Sequence, residues 1–330
     1  MSILVTGGAG YIGSHMVLAL RDAGENVVVV DNLSTGFRWA VAEGVTLVIG
    51  DVADQALIEE VIDRHKVEAI IHFAGSIVVP DSMVDPLGYY MNNTVKSRSL
   101  IETAVVKGVK HFIFSSTAAV YGMPAVNPVS EDAPLNPISP YGASKLMTEW
   151  MLRDAARAHE MSYIALRYFN VAGADPKGRA GQSTHRATHL IKVACQTALG
   201  MRHHMEVYGR DYDTPDGTCL RDYIHVSDLA HAHLQGLSHL RAGGNSGIFN
   251  CGYGHGTSVL EVIAAVERVA GHKIDVREAS RRPGDPAALV ASADRIRQLL
   301  DWYPSHDNLD EIVGSALAWE RTLGARNVAA

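Results

Sequence analysis

The chain has 330 residues, 47% of them hydrophobic, which is enough for one large or two modest domains with a substantial core. Its net charge is −7 and it has no basic patch, which argues against nucleic acid as a partner. Its apolar runs are far shorter than the roughly 20 residues that a membrane span requires, which argues against a membrane protein.

The compartment is predicted from the cysteines and the N-terminus. Cys195, Cys219 and Cys251 are few, odd in number and far apart, which is typical of a reducing cytoplasm and not of a disulfide framework or a zinc site. An apolar strand pattern runs directly into a glycine-rich loop, so no signal peptide is visible. We therefore expect a cytoplasmic protein.

The first 31 residues predict one mononucleotide-binding unit. A strand over 2–6 is followed by a glycine-rich turn over 7–13, a helix over 14–22 and a second strand over 27–30, and Asp31 closes the unit. Such a β–turn–α–β arrangement is the building block of doubly wound α/β folds.

Three glycines and one acid predict the ligand of this unit. Gly7 permits the tight turn, Gly10 lets the backbone approach a pyrophosphate, and Gly13 lets the helix lie close to the sheet. The start of the helix offers unpaired N–H groups to phosphates. Asp31 would accept hydrogen bonds from ribose hydroxyls and repel a 2′-phosphate, which favours NAD over NADP. A plain βα turn is the alternative.

Further apolar runs without alternation predict a parallel sheet covered by helices on both faces. They lie over 45–49, 69–73, 111–114 and 162–167. Because ligands sit at the carboxyl ends of such strands, Phe73, Ala74 and Gly75 are expected to line the cofactor. Asp51 either reaches an adenine amino group or caps a helix over 56–64, and one residue could do both.

Polar residues follow in the next helix and at the end of the next strand. A long helix is predicted over 86–106, in which Asn93 either lies on a solvated face or points into the site. Ser115, Ser116 and Thr117 end the strand over 111–114 and are candidates for substrate hydrogen bonds, with capping of the turn as the alternative.

A candidate general base follows on the next helix. Ser139 and Pro140 are expected to open this helix, and Tyr141 and Lys145 share one of its faces at i and i+4. An ammonium beside a phenol lowers the phenol's pKa, which makes Tyr141 a candidate base. The alternative is an ordinary surface pair. The position after a hydroxyl-ended strand in a dinucleotide fold favours catalysis.

The βα rhythm breaks after residue 173. Helices are predicted over 187–199, 229–240, 257–270, 294–300 and 308–323, with Ser227-Asp228 and Thr257 as caps. An edge strand over 222–226 is expected to return to the first domain. The predicted architecture is a Rossmann-type doubly wound parallel sheet over 1–172, with a returning segment near 222–250, and a smaller mixed α/β substrate-binding domain over 173–330.

Two arginines and several histidines of this second half invite ligand hypotheses. Arg221 and Arg282 would bind a phosphate-bearing ligand bidentately, or would pair with Asp222 and Asp285 as surface salt bridges. The histidine pairs at 203–204 and at 231 and 233 do not predict a metal site, because residues two apart on a helix point to different faces.

At this point the chain resembles the UDP-glucose 4-epimerases of the extended short-chain dehydrogenase/reductase superfamily, over essentially its whole length. The resemblance is carried by the glycine turn, by the Tyr141/Lys145 pair, by Thr117 at its strand end and by the runs at 167–170 and 221–226. It implies NAD as cofactor, a UDP-sugar as substrate and a homodimer that shares a two-helix face.

The resemblance also implies roles. Tyr141 as phenolate takes the proton of the sugar 4-hydroxyl, Lys145 contacts the nicotinamide ribose and lowers the Tyr141 pKa, and Thr117 holds O4. Hydride passes from C4 to the nicotinamide, the 4-keto sugar turns its other face, and hydride returns, so that C4 is inverted.

The cofactor contacts that the prediction includes are Gly7, Gly10, Tyr11, Ile12, Gly13, Asp31, Asn32, Asp51, Val52, Phe73, Ala74, Gly75, Asn93, Ser115, Tyr141, Lys145 and Tyr168. The substrate contacts are Thr117, Tyr141, Asn170, His189, Leu190, Tyr208, Arg221, Tyr223, Arg282 and Asp285.

The chain departs from the family pattern at two places. Ile77 lies in a loop where many members have a lysine, and His189 stands where many have asparagine. A sugar 4,6-dehydratase needs an acid/base pair just after the threonine. This chain has Ala118 and Ala119 there, and neither side chain can transfer a proton, which argues against a dehydratase. An epimerase for UDP-pentoses or UDP-N-acetylhexosamines remains an alternative, and a non-catalytic NAD-binding sensor is a third hypothesis.

Overall fold

The computed structural model of the chain describes residues 1–184, 188–282 and 284–328. The strands are β1 (Ser2–Thr6), β2 (Val27–Asp31), β3 (Thr46–Ile49), β4 (Val67–His72), β5 (His111–Ser115), β6 (Ser162–Tyr168), β7 (Asn170–Ala172), β8 (Met205–Tyr208), β9 (Leu220–Arg221), β10 (Tyr223–His225), β11 (Gly247–Cys251), β12 (Thr257–Ser258), β13 (Val276–Ala279) and β14 (Ala288–Leu289). The helices are α1 (Tyr11–Asp22), α2 (Gln55–His65), α3 (Val79–Val84), α4 (Pro86–Tyr89), α5 (Lys96–Val106), α6 (Pro140–Ala158), α7 (Leu190–Ala198), α8 (Val226–Arg241), α9 (Val259–Ala270), α10 (Asp294–Leu300) and α11 (Leu309–Val328).

A parallel sheet of seven strands dominates the described part of the chain, in the order β11-β6-β5-β4-β1-β2-β3. Its register pairs Thr6 of β1 with Val30 of β2 and with His72 of β4, and His72 with Phe114 of β5. The carboxyl ends of these four strands therefore meet at one edge. The strand order reverses between β1 and β4, which is where doubly wound folds bind their ligands.

Helices cover both faces of this sheet. Ile3 and Val5 of β1 pack with Met16 of α1 in one core, whereas Leu4 packs with Ile58 of α2 in a second core. Because neighbouring residues of a strand point to opposite faces, two buried cores on one strand require a covered sheet. The predicted Rossmann-type doubly wound fold is confirmed. Small sheets β8–β13 and β12-β9-β14 form the mixed α/β part together with α7 and α9.

Three predicted elements differ from the structure. The helix over 86–106 is interrupted, since a π-helical segment at Tyr90–Val95 joins α4 to α5. The strand predicted over 222–226 pairs with β7 in a separate two-stranded sheet, and β11 is the late strand that joins the large sheet beside β6. Helix α7 begins at Leu190, and residue 187, where the sequence predicted its start, lies outside the described residues. The domain boundary at 172/173 stays a prediction.

Two predicted helix caps are wrong by one or two residues. Helix α8 is capped by His225, whose ring accepts a hydrogen bond from the N–H of Ser227, while Asp228 is buried within the first turn. Helix α9 is capped by Ser258 in a reciprocal capping box, and not by Thr257, which belongs to the short strand β12. The strand partners of Tyr223 and Leu220 decided these boundaries, which local capping preference alone does not reveal.

Within the described ranges, no helix combines the length and the apolar character needed to cross a membrane.

Candidate active site

The glycine turn lies against the end of strand β4. Gly7 has φ of +71°, and a Cβ on it would lie 2.6 Å from the nitrogen of Ala74. A Cβ on Gly13 would lie 2.1 Å from the carbonyl oxygen of Gly7, so the start of α1 packs directly on the turn. The structure thus brings the predicted contacts at 7–13 and 73–75 together. Helix α1 begins after Gly10, whose lack of a side chain leaves its N-terminus without a side-chain cap.

That arrangement fits a dinucleotide. The turn has no room for side chains where the backbone would approach a pyrophosphate, and the N-terminus of α1 is aligned to bind the phosphates. Asp31, at the end of β2, is buried, and its carboxylate accepts hydrogen bonds from the N–H groups of Ala9 (2.9 Å) and Leu33 (2.8 Å). These bonds hold the acid beside the turn, at the position from which it would read a ribose.

Other predicted cofactor residues lie around this turn. Tyr11 donates a hydrogen bond to the carbonyl of Gly173 (2.7 Å), which links α1 to the second half of the chain. Asn32 accepts from the N–H of Ser34, while Ile12 packs at the edge of the core. Asp51 does not cap α2, because Asp54 does so.

Asp51 instead forms an ion pair with Lys96 of α5 at 2.5 Å and accepts from the N–H of Ala53. These hydrogen bonds and the charge of Lys96 lower its pKa against the opposing effect of burial, which is the largest single influence. The next residue, Val52, is buried in the second core.

The predicted catalytic residues Thr117, Tyr141 and Lys145 are brought together, and all three are buried. Ser139 caps α6 as predicted by accepting from the N–H of Gly142. Thr117 follows β5 and lies close enough to Tyr141 to lower its pKa, and Lys145 donates to the carbonyl of Ser115 at 3.1 Å. A phenol, a hydroxyl and an amine therefore meet near the carboxyl end of β5.

The protonation of this group differs from the prediction. Burial raises the pKa of Tyr141, and the hydrogen bond with Thr117 only partly opposes it. Burial also lowers the pKa of Lys145 to about 8. The sequence predicted a lowered Tyr141 pKa from a nearby ammonium, but desolvation favours the neutral form of both groups.

Asn93 lies beneath the site in the π-helical segment. Its side chain accepts from the N–H of Ser76 (2.7 Å) and donates to the Ser76 carbonyl and to the hydroxyl of Ser144. A Cβ on Gly75 would meet the Asn93 side-chain oxygen at 2.9 Å and the Lys145 Nζ at 3.6 Å. Asn93 is buried and does not lie on a solvated face. Its hydrogen bonds to the Ser76 backbone hold the loop after β4.

The other predicted substrate residues form two groups, a cavity lining and a cluster of opposite charges. Asn170, His189, Leu190 and Tyr223 line one small cavity. The hydroxyl of Tyr168 and that of Ser115 form a hydrogen bond at the ends of β6 and β5.

The last group is a cluster of opposite charges. Arg282 pairs with Asp285 at 3.0 Å and lies over the ring of Tyr208, 4.5 Å from its centroid. Arg221 lies 3.7 Å from Asp285 and donates to two backbone carbonyls. The salt-bridge alternative is thus observed between Arg282 and Asp285. The predicted salt bridge between Arg221 and Asp222 is not observed, because the Asp222 carboxylate accepts from the N–H groups of residues 253, 254 and 291.

Sequence reasoning missed an ion pair beside the site. Glu149 of α6 and Arg167 of β6 form it at 2.6 Å, and both are almost fully buried. The available signal was spacing, because Tyr141, Lys145 and Glu149 recur every four residues and so share one helix face.

For the described ranges, no group of three or more histidines, cysteines or acids is arranged to hold a metal ion.

A family model described as "NAD dependent epimerase/dehydratase family" matches residues 3–252. The fold, the glycine turn and the matched range together define the class, and the chain belongs to this NAD dependent epimerase/dehydratase family. Within that family its relatives are UDP-glucose 4-epimerases. One from Azospirillum brasilense is 60% identical over 321 residues, which cover 97% of this chain and 92% of the relative. The predictions of the family and of NAD as its cofactor are confirmed.

Solved structures extend the comparison. The UDP-glucose 4-epimerase of Bifidobacterium longum, in complex with NAD+ and UDP, is 39% identical with a TM-score of 0.92 and 98% coverage of both chains. The UDP-Glc/GlcNAc 4-epimerase of Campylobacter jejuni is 48% identical with a TM-score of 0.86, and the match covers 97% of this chain and 99% of that one.

Proposed function

We propose that this protein interconverts UDP-glucose and UDP-galactose by inverting C4 of the hexose. The observation that carries the proposal is the buried cluster of Thr117, Tyr141 and Lys145 beside the glycine turn. This places an acid/base group at the edge of the sheet that the dinucleotide site occupies. Bound NAD supplies an acceptor and donor of hydride for C4.

The chain's own residues supply the proton chemistry. Tyr141, in its phenolate form, takes the proton of the sugar 4-hydroxyl and later returns it, with Thr117 favouring the phenolate and holding the sugar oxygen. Lys145, held by the Ser115 carbonyl, binds the cofactor ribose and contributes positive charge in the part of its population that is protonated. The redox change at C4 cancels over one turnover, so no external reductant is required.

The UDP portion is assigned to the two outer groups. The cavity of Asn170, His189, Leu190 and Tyr223 and the cluster of Tyr208, Arg221, Arg282 and Asp285 accommodate it. Two arginines next to one carboxylate suit a diphosphate and a ribose, because guanidinium groups bind phosphate bidentately and a carboxylate accepts from ribose hydroxyls.

The test compares three substrates by proton NMR. We expect the purified protein to convert UDP-galactose to an equilibrium mixture with UDP-glucose. UDP-N-acetylgalactosamine and UDP-xylose test the two alternatives, of which the N-acetylhexosamine one is supported by the dual name of the Campylobacter jejuni relative. Conversion of UDP-N-acetylgalactosamine or UDP-xylose, without conversion of UDP-galactose, would replace the hexose assignment. Accumulation of a 4-keto-6-deoxy sugar would revive the dehydratase, and binding of NAD without any turnover would support the sensor.

We also propose that the protein is a cytoplasmic homodimer. Cys195, Cys219 and Cys251 are buried free thiols, which suit a reducing compartment. Helices α3 and α4 and the π segment pack against α6, and this layer exposes an apolar stripe. The apolar stripe consists of Met83, Val84, Leu87, Met91, Val95, Met147 and Trp150. A contiguous exposed apolar surface of this kind is typical of a subunit interface.

The dimer is tested by light scattering after size exclusion. Leu87, 78% exposed, and Met91, 54% exposed, are replaced together by aspartate, because buried unpaired charges would oppose association. We expect the mass of a dimer for the unchanged protein and of a monomer for the double variant. Val126→Asp, at a 73% exposed position outside the stripe, is the control. A wild-type monomer would contradict the proposal.

A further inference from the structure

The buried ion pair of Glu149 and Arg167 has no role in the function proposed so far. Arg167 donates through Nε to Glu149 Oε1 at 2.9 Å and through Nη2 to Oε2 at 2.6 Å, which is a bidentate arrangement. Such a pair gains little stability over well-packed apolar residues, because two charges must be taken out of water. Its side chains therefore call for a role that their geometry explains.

Each partner holds one end of the same short segment. The hydroxyl of Ser116 donates to Glu149 Oε1 at 2.5 Å. Arg167 donates through Nη1 to the hydroxyl of Tyr121 at 3.0 Å, and its guanidinium lies 5.0 Å from the centroid of that ring. Thr117 stands between these two anchors, as the N-cap of the 3-10 turn Ala118–Tyr121.

The second anchor is itself fixed. The Tyr121 hydroxyl donates to the Asn250 side chain on β11 at 2.7 Å, and Asn250 donates to the carbonyl of Val129 at 2.8 Å. Backbone hydrogen bonds from Ser116 to Leu166 and Phe114 also hold the start of segment 116–121, and the charged pair adds a side-chain anchor at each end.

The same pair also ties this segment to the helix of the base. Glu149 lies on the face of α6 that carries Lys145, about one turn away, and Tyr141, about two turns away. Ser116, directly before Thr117, donates to Glu149, so a side-chain hydrogen bond links the residue next to Thr117 to the helix that carries Tyr141.

We propose that Glu149 and Arg167 are positioning residues, which hold Thr117 in place beside Tyr141 through Ser116 and Tyr121. This inference rests on the proposed function. The pair touches neither the base nor the reacting sugar carbon, and it acts on turnover through Thr117.

The experiment removes the anchors and leaves the charged pair intact. Ser116→Ala and Tyr121→Phe each delete one hydroxyl, and we expect each to lower kcat about tenfold or more with KM and NAD content nearly unchanged, because small misplacements of reacting groups are costly. Each is also expected to lower the unfolding midpoint, because a buried partner loses its hydrogen bond. Ser82→Ala, at a buried hydroxyl that donates to the Val79 carbonyl within α3, and Tyr163→Phe, at a buried tyrosine of β6, are the matched controls.

A double-mutant cycle identifies the route of the effect. In a Thr117→Val background, Ser116→Ala is expected to lower kcat no further, since the residue it positions has already lost its hydroxyl. Ser116 and Tyr121 variants with wild-type kcat, or an undiminished effect in the Thr117→Val background, would overturn the inference. A stability loss without a change of kcat would show a structural role only. A wild-type protein without epimerase activity would instead refute the proposed function, and this inference with it.

Discussion

At the scale of the residue, the site depends on the balance between charge and burial at Tyr141 and Lys145. A phenol and an amine four residues apart suggest mutual activation when only their spacing is considered. Their burial changes the outcome, because each charged form loses its hydration, so the pKa of Tyr141 rises and that of Lys145 falls to about 8. Thr117 is the neighbour whose hydrogen bond favours the phenolate.

Replacing Tyr141 by phenylalanine tests its role as the base. We expect kcat to fall by about 100-fold or more, which is typical for loss of a general base, with UDP binding largely preserved since the proposed UDP contacts lie on other residues. Turnover is followed by NMR and UDP binding by calorimetry. Tyr303→Phe, at a 60% exposed position, is the control. Near-normal turnover in the Tyr141 variant would refute the assignment.

At the scale of the element, the turn between β1 and α1 and the π-helical segment determine where the site lies. The turn was predicted from its glycines, and the structure gives the reason in contacts, since a side chain at Gly13 would collide with the Gly7 carbonyl. The π segment was not predicted. It places Asn93 against Ser76 and Ser144, and so joins the loop after β4 to α6. π-helical segments are frequent at functional sites.

Gly13→Ala tests the turn. The added Cβ would lie 2.1 Å from the Gly7 oxygen, so α1 must move away from the turn at which we expect the pyrophosphate to bind. We expect the purified variant to carry much less NAD, measured by mass spectrometry of the denatured supernatant, together with a lower unfolding midpoint. Gly314→Ala in α11, whose Cβ would meet its nearest neighbour at 4.0 Å, should retain NAD. Normal NAD content in the Gly13 variant would show that the pyrophosphate does not need this close approach.

At the scale of the whole molecule, four histidines are buried within the part of the chain that the structure describes. Burial lowers the pKa of His72 to about 3 and those of His15, His225 and His233 to about 4. His72 is held neutral between the hydroxyls of Thr6 and Ser97. These rings are part of the folded core and do not bind protons at neutral pH.

The stability of the protein should therefore fall on mild acidification. Because the folded pKa values lie below the unfolded value of about 6.5, the unfolded chain binds more protons between pH 6.5 and 4, and each ring costs about 1.4 kcal/mol per pH unit in that window. Above pH 6.5 this loss is absent. Urea unfolding at pH 7, 6 and 5 measures it. His233→Gln should reduce the slope by about one proton, whereas exposed His203→Gln should not. Equal slopes in all three proteins would contradict the expectation.

The sequence by itself determined the features that depend on local spacing. The glycine turn, the unbroken apolar strands and the Tyr141 and Lys145 pair are each contained in a few consecutive residues, and local sterics or helix periodicity make their consequences predictable. For the same reason the sheet class and the NAD prediction could be made before the structure. Within the fold, the errors were the unpredicted π segment, two helix caps and the strand over 222–226, where pairing with β7 decided the outcome.

Tertiary structure alone decided which distant residues meet. Glu149 and Arg167 contact Ser116 and Tyr121 because α6 and β6 pack beside the end of β5, and no local rule relates these positions. The pKa values of Tyr141 and Lys145 were likewise set by the surrounding burial and not by their spacing. Desolvation and long-range packing are properties of the folded whole, so the chemistry of this site follows from its three-dimensional surroundings.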